Sequence, residues 1–431
     1  MSFNQKAQSA FRKLGAVVLI TAILAVFFTA CKQKGSTGGG SEKPTPKPKH
    51  AITFSVDGAN GTLKAKADGI DETETSPINV EKGKEVTFTA TANDGYRVKG
   101  WTLDGSAVNG TNTEYKLTVS QAATVTVSFE VTSVKGGAVL ILNPHIPNLK
   151  VTAITEDGSD IQVEGCNEAT LKSGEYTKLQ PKGTTVILRG KITELDCIGE
   201  NDSKGPITSL NVQGCASLEE LFCSFNQLTS LNVQGLTALR KLSCKGSEDN
   251  KGLLTTLNAQ GCTALKEIEC YYNQLTAVNV QGCTSLEKLD CYNNQLTSLD
   301  VQGLTSLEKL YCYNNQLAAI NVQGCTSLQK FYCTNNQLTS LDVSGLTALQ
   351  SLLCNNNQLN AKAMTEILNA LPRRKRSDGA WALLYSEKTD VLDGNCKDYS
   401  KPEDLKTAFD EAKDRNWRLK KENARGNSED V

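Results

Sequence analysis

The chain has 431 residues, with 46 Lys+Arg against 47 Asp+Glu and a formal net charge of −1. That balance leaves no cation excess to neutralise phosphates, which speaks against nucleic-acid binding. With only 2 His, His50 and His145, the chain has few groups for acid–base chemistry at neutral pH. Its 39% hydrophobic and 22% charged residues fit a globular chain of roughly two to three domains.

The first segment reads as targeting. Lys6, Arg12 and Lys13 precede an uncharged apolar run over residues 14–30. The run is short and ends in small residues, which fits a signal peptide (1–30) rather than a transmembrane helix. Cys31 directly after Ala30 resembles a bacterial lipoprotein lipobox, with Phe28 where Leu is usual. The resemblance implies that Cys31 is the lipidated first residue of the mature chain; the plainer reading is an export signal with an incidental Cys. Acyl chains on Cys31 would make the lipid the only membrane contact. Residues 31–50 are rich in Lys, Gly, Ser and Pro, including Gly38 to Gly40 and Pro44, Pro46 and Pro48. Such a composition makes a tether. Lys32 is not the Asp of an inner-membrane retention signal, so resemblance favours the outer membrane, facing the surface or alternatively the periplasm.

Residues 51–132 read as a small all-β domain. Val86-Thr87-Phe88-Thr89-Ala90 and Val125-Thr126-Val127-Ser128-Phe129 alternate, and Asp57-Gly58 and Asn60-Gly61 mark turns. Gly95-Tyr96-Arg97-Val98-Lys99-Gly100-Trp101 resembles the central motif of β-rich repeat domains in bacterial surface proteins, including listerial internalin-type proteins. The resemblance implies a spacer. Tyr96 and Trp101 are either a ligand platform or core and rim aromatics of one small sheet. Residues 135–191 carry further strand signals, such as Val139-Leu140-Ile141-Leu142, and read as a β-rich N-terminal cap over the open apolar end of the repeats.

Residues 192–360 are repetitive. Cys197, Cys223, Cys244, Cys270, Cys291, Cys312, Cys333 and Cys354 fall 26 or 21 residues apart. One unit reads Leu286-Glu287-Lys288-Leu289-Asp290-Cys291-Tyr292-Asn293-Asn294-Gln295-Leu296. This LxxLxLxxNxL pattern resembles the leucine-rich repeat. The 21-residue period and inward Cys are similar to short repeats of spirochaetal and related bacterial surface lipoproteins. The implied fold is an α/β-type leucine-rich repeat solenoid with a parallel concave sheet. Period two sends Leu289 and Cys291 inward and Lys288, Asp290 and Tyr292 outward. The ten residues from Thr297 to Ser306 are too few for a long helix, so the convex side is expected to be extended or 3₁₀ and mostly non-helical. Asn273, Asn294, Asn315, Asn336 and Asn357 sit where amides can bond neighbouring backbones, and Gly261, Gly282, Gly303, Gly324 and Gly345 mark tight turns.

The cysteines could be metal ligands, disulfides or core. No CxxC occurs, so a zinc site has no support. Cys215, Cys262, Cys283 and Cys325 occupy a position that holds Leu236, Leu304 and Leu346 in other repeats, which marks it as apolar. In-register parallel neighbours are poorly placed for disulfides, so buried thiols are expected.

The outward positions carry the binding hypothesis. Tyr271, Tyr292, Tyr311, Tyr313 and Tyr332, with Tyr272, put six of the 11 Tyr on one strip. Lys288, Lys309 and Lys330 stack beside them, with Glu269 and Asp290 as partial counter-charges. Exposed aromatics are enriched at protein interfaces. The expected ligand is a protein, with a glycan open because Tyr suits sugar stacking; rings that only cover the sheet are the plainer reading. Two five-residue insertions, near residues 199–206 and 245–252, carry Glu200, Asn201 and Asp202 and Glu248, Asp249 and Asn250. These could ligate Ca²⁺, but no EF-hand-like spacing exists, and solvated loops are the simpler account.

Residues 361–431 read as an α+β C-terminal cap. Asn360 caps a helix from Ala361 to Leu371, stopped by Pro372. Arg373 to Arg376 is a basic run read as a solvated loop, with heparin-like binding or a proteolysis site as the sharper alternative. A strand at Trp381 to Tyr385, a helix at Pro402 to Lys413 and a last strand at Trp417 to Leu419 follow. No enzyme motif and no cofactor signature occurs. The reading is a non-enzymatic, lipid-anchored surface protein that binds host or bacterial proteins through the concave sheet, in adhesion or coaggregation. The alternative is a structural or assembly scaffold of the envelope.

Overall fold

The computed structural model describes residues 47–58, 61–93, 96–146, 148–199, 204–389 and 393–431. Cys31, the apolar run before it and most of the tether lie outside these, as do Glu200, Asn201 and Asp202.

Residues 49–131 form two facing sheets rather than one. Lys49–Asp57 pairs parallel with Ala123–Val131 at the centre of a sheet that also holds Ile78–Glu81, Tyr96–Leu103 and Ser106–Val108. The other sheet joins Ile70–Thr73, Gly61–Ala67, Glu85–Ala92 and Glu114–Thr118. The alternating apolar positions meet between them: Ile52, Phe54, Phe88, Val125 and Val127 are buried. Trp101 is 1% exposed and its Nε1 donates to the Asn112 carbonyl at 2.6 Å, so it is a core aromatic with a satisfied polar end.

From residue 192 the chain coils. Each turn adds one short strand to a single large sheet: Ile192–Asp196, Glu220–Phe222, Lys241–Ser243, Glu267–Glu269, Lys288–Asp290, Lys309–Tyr311, Lys330–Tyr332 and Ser351–Leu353, all parallel and in register. Leu221, Leu242, Ile268, Leu289, Leu310, Phe331 and Leu352 stack inward and are fully buried. The strand cysteines follow one residue past each strand and are buried as well. All fourteen described cysteines are free. In four ladder members the thiol points at a carbonyl of the next turn, as in Cys312 Sγ to Tyr332 O at 3.5 Å.

The bend after each strand has two parts. Tyr272, Asn293, Asn314, Asn335 and Asn356 adopt φ between 53° and 56°, the left-handed region that Asn tolerates better than most residues. The next Asn turns its amide inward. Asn294 Nδ2 donates to the carbonyls of Cys291, Cys270 and Tyr292 at 3.0, 3.1 and 3.2 Å, and its Oδ1 accepts the Leu275 N–H at 3.0 Å. Asn226, Asn273, Asn315, Asn336 and Asn357 repeat the pattern. Buried backbone groups that the coil leaves open are thereby paired. The opposite side is extended, with short parallel strands such as Ser298–Asp300 and Ala319–Asn321. It returns through i→i+3 turns such as Leu304 N to Val301 O and Leu307 N to Leu304 O. No α-helix is needed there.

The insertions leave and re-enter through glycine pairs. A Cβ on Gly252 would lie 1.9 Å from Asn273 Oδ1, and one on Gly205 would lie 2.4 Å from Asn226 Oδ1. The loops open without displacing the amide ladder because nothing projects at those points.

Both ends of the sheet are extended by other strands. Leu149–Thr155 pairs antiparallel with Ile192–Asp196. At the far end Trp381–Ser386 and Arg418–Glu422 continue in parallel, and Ser428–Asp430 turns back antiparallel. That final hairpin lies beyond the strand expected at 417–419. Helix α1 (Ala361–Ala370) starts where Asn360 Oδ1 accepts the Ala363 N–H at 3.0 Å, and α2 (Glu403–Asp414) packs against it. Asn395, from the loop between, takes the next place in the amide ladder: its Nδ2 donates to Cys354 O and Leu384 O, both at 2.8 Å. The basic run is tied back to the protein, with Arg374 bonded to the Thr347 carbonyl and Arg373 to the Asp414 carbonyl. One apolar cluster runs from Ala138 to Leu419.

Candidate functional site: the outward face of the large sheet

Because the strands are in register, outward side chains form columns. One column reads Glu220, Lys241, Glu267, Lys288, Lys309, Lys330, Ser351, Trp381, Arg418. The next reads Phe222, Ser243, Glu269, Asp290, Tyr311, Tyr332, Leu353, Leu383. Lys245, Tyr271, Tyr292, Tyr313 and Thr334 follow the strand cysteines one residue on.

The tyrosines are half-buried, not freely exposed. They pack on one another. Tyr271 and Tyr292 stack at 4.5 Å between ring centroids, and Tyr292 and Tyr313 at 4.4 Å, each pair 9° from parallel. The ring spacing follows from the strand spacing of about 4.8 Å. Tyr272 meets Tyr292 edge-on at 5.7 Å. Lys245 Nζ closes one end of the stack, 5.2 Å from the Tyr271 ring. Tyr311 and Tyr332 form a second, tilted pair at 4.9 Å in the neighbouring column. The five expected tyrosines thus occupy two columns. Burial pushes the phenols of Tyr292, Tyr311, Tyr313 and Tyr332 up, so they stay neutral at ordinary pH.

The charges are unevenly placed. Lys288 Nζ lies 2.8 Å from Glu267, 2.9 Å from Asp290 and 3.6 Å from Glu269. Burial opposes its charge, but the bonds to Glu267 and Asp290 outweigh it and hold its pKa above the usual lysine value. Glu269 also takes Lys245 at 2.8 Å and Ser243 Oγ at 3.1 Å. Burial works against that carboxylate too, yet the two lysines keep its pKa low. Asp290 points outward but is 5% exposed. Burial raises its pKa despite Lys288, and its Oδ1 has no hydrogen-bond partner. Ser224 and Ser243 are likewise outward and buried. Outward direction and exposure therefore separate on this face. Lys309 and Lys330 make no ion pair among the described residues, so Lys288, Lys309 and Lys330 share a column but not an environment.

A groove of about 420 Å³ borders the charged column, lined by Glu220, Lys241, Glu267, Lys288 and Lys309 among others. Among the described residues no group of three or more His, Cys, Asp or Glu is placed to hold a metal. Sequence reasoning identifies Glu269 and Asp290 as partial counter-charges; it misses the Glu267 contact of Lys288 and the burial of Asp290, although Glu267 lies in register with Lys288.

Comparison with known proteins places two modules in the chain. Residues 52–133 match the family model for the divergent InlB B-repeat domain, and residues 284–323 match that for leucine rich repeats in two copies. The chain therefore contains a bacterial InlB-like B-repeat domain and leucine-rich repeats. Leucine-rich repeat proteins generally mediate protein–protein interactions, and both modules are of typically non-catalytic binding types. No curated protein matches. Among solved structures, the functional domain of InlJ from Listeria monocytogenes, described as including a cysteine ladder, is 24% identical over 42% of this chain and 53% of its own, with a TM-score of 0.23. The leucine-rich repeat domain of APL1B is 20% identical over 40% of this chain and 61% of its own, at a TM-score of 0.26. The LRIM1/APL1C complex is 18% identical over 46% and 36%, at 0.28. The chain spans less than two thirds of the length of each.

Proposed function

We propose that this protein is a lipid-anchored cell-surface recognition protein that binds other proteins through the outward face of its repeat sheet. Adhesion to cells or matrix, or coaggregation, is the role, with Cys31 as the lipidated residue and the outer-membrane surface as the place. The carrying observation is the pre-ordered tyrosine surface: Tyr271, Tyr292 and Tyr313 in one stack, Tyr311 and Tyr332 in another. Rings already fixed against each other lose little entropy on binding, which favours them as anchors. Protein is favoured over glycan by ring geometry. The faces of the three-ring stack are used on one another, so edges and hydroxyls meet solvent and few flat faces remain for sugar rings.

The test couples the full chain to beads and measures adhesion to host cells and to partner bacteria. Tyr311→Ala with Tyr313→Ala should weaken adhesion by at least about 2 kcal/mol, while Asp300→Ala with Asn321→Ala on the opposite side should not. Equal effects from both pairs, or none from the tyrosines, would replace this reading with the envelope scaffold. Cys31→Ser should abolish metabolic palmitate labelling and leave an unprocessed precursor. Protease shaving of intact cells should remove the protein if it faces outward.

A further inference from the structure

We infer that the C-terminal half of the outward face docks an acidic peptide segment that also carries apolar side chains, presented by a protein partner. This rests on the reading that the outward face binds proteins, and goes beyond it by fixing the chemistry of the partner.

Unmatched charge lies here beside half-open apolar surface. In the N-terminal half every outward lysine has a carboxylate of the same chain. Lys241 lies 3.7 Å from Glu267, Lys245 lies 2.8 Å from Glu269, and Lys288 touches three acids. At the sheet edge Lys266 pairs with Glu287 at 2.8 Å. The lysines of this half are already matched, and Glu194 and Glu220 adjoin in register at its start, so it offers little to an acidic partner. The pattern stops at Lys309. Lys309 and Lys330 are paired in register on adjacent strands, where like charges repel. Their columns supply Tyr311, Tyr332 and Leu353 as neighbours where the preceding strands supply Glu269 and Asp290. The sequence neighbour Glu308 makes no ion pair among the described residues. Further along the lysine column come Ser351, Trp381 and then Arg418, and Lys420 Nζ sits 5.6 Å from the Trp381 ring. The column therefore runs from Lys309 to Arg418 without an acid in it, and carboxylates return only on the last strand, where Asp430 lies opposite Lys420.

Beside it runs an apolar line. Tyr311, Tyr332 and Leu353 are adjacent in register and half-buried; the next residue in the column, Leu383, is buried and ends the open line. A ligand that satisfies both lines carries anions on one side and apolar groups on the other. An acidic peptide with interspersed apolar residues has that form. A sulfated glycan supplies anions alone and would leave Tyr332 and Leu353 uncovered. Electrostatic matching of this kind sets partner choice and association rate more than it sets affinity.

The test uses the full chain and fluorescence anisotropy of a labelled decapeptide alternating Glu and Leu. Its Lys–Leu counterpart and a heparin oligosaccharide serve as comparison probes. The Glu–Leu peptide should bind, and more weakly as salt is raised. Lys309→Gln with Lys330→Gln should weaken it tenfold or more and flatten the salt dependence. Lys266→Gln should change binding by less than twofold, because Glu287 already occupies that charge. Unaltered thermal melting of the double variant shows that the loss is not one of folding. Binding of heparin or the Lys–Leu peptide in preference to the Glu–Leu peptide overturns the inference, as does indifference to the lysine pair. If the Tyr311 and Tyr313 variant loses adhesion while no acidic peptide binds, the face recognises proteins and only the acidic chemistry is wrong. If the tyrosine variant also keeps full adhesion, both readings fall.

Discussion

Raising the pH should unfold the repeats abruptly, and the strand cysteines set where. Cys197, Cys223, Cys244, Cys270, Cys291, Cys312, Cys333 and Cys354 are all buried and free. Burial is the first cause of their raised pKa, and in Cys223, Cys270 and Cys312 neighbouring thiols on both sides add to it. Cys244 and Cys333 are pushed up to about 12 from an ordinary value of 9.0. The folded chain therefore keeps its thiol protons in a range where the unfolded chain gives them up. Their contribution to stability is whole about one unit or more below the unfolded value of 9.0 and falls as pH rises through it. At pH 9 each unfolded thiol gains about 0.4 kcal/mol by ionising, or about 3 kcal/mol for the eight. At pH 10 the gain is about 1.4 kcal/mol each and about 11 kcal/mol together, comparable with the whole stability of a typical domain at about 5–15 kcal/mol. Far-UV circular dichroism and thiolate absorbance, followed together between pH 8 and about 10.5, should change in one cooperative step. The window lies mostly below the ordinary tyrosine range, so phenol ionisation does not dominate it. Thiolate absorbance that rises near pH 9 while the fold persists would refute the buried ladder.

Cys312 should react with thiol reagents only after denaturation, and Cys312→Ser should cost about 1–3 kcal/mol in urea unfolding; rapid labelling of native protein contradicts the register. Lys288→Met should destabilise the chain by about 1–3 kcal/mol because it leaves Glu267, Glu269 and Asp290 facing one another. Adding Asp290→Asn should recover part of that loss, and strict additivity in the double-mutant cycle would show the cluster to be uncoupled. Asn294→Ala should cost about 1–3 kcal/mol, since it leaves the buried Leu275 N–H unpaired and removes one of the two amide donors to the carbonyls of Cys270 and Cys291, Asn273 and Asn315 keeping the other; a loss below about 0.5 kcal/mol would mean water replaces the amide. Gly252→Ala should lower the melting temperature measurably, because its Cβ would strike Asn273 Oδ1.

The repeat was legible because its physics is local and copied. Period-two alternation fixes which way Leu289 and Cys291 face, and exchange of Cys215 with Leu236 at one position marks an apolar environment. The Asn after each bend follows from backbone carbonyls that a short coil cannot pair by itself. Asn395 could not be read this way. It joins the same amide ladder from a loop with no repeat around it, and only the path of the chain brings it there. The two-sheet form of residues 49–131 was hidden for a similar reason, because alternation tells which side of a strand is apolar but not which strand faces it.

The outward face divides along the same line. Sequence alone determined that Tyr271, Tyr292, Tyr311, Tyr313 and Tyr332 and Lys288, Lys309 and Lys330 point away from the core, since direction depends only on position within a strand. Exposure depends on what stands alongside. Asp290 and Tyr311 occupy successive places in one column, yet Asp290 is nearly inaccessible and Tyr311 is half-open. The difference comes from what stands alongside: Lys288 on the same strand and Glu269 one strand away around the first, and Tyr332 one strand away beside the second. The stacking of Tyr271 on Tyr292 and of Tyr292 on Tyr313, and the separation of lysines with internal counter-ions from lysines without, likewise exist only once the strands lie side by side in register. Those are interactions across turns of the coil, about 21 residues apart in the chain and one strand spacing of about 4.8 Å apart in space, and tertiary packing alone decides them.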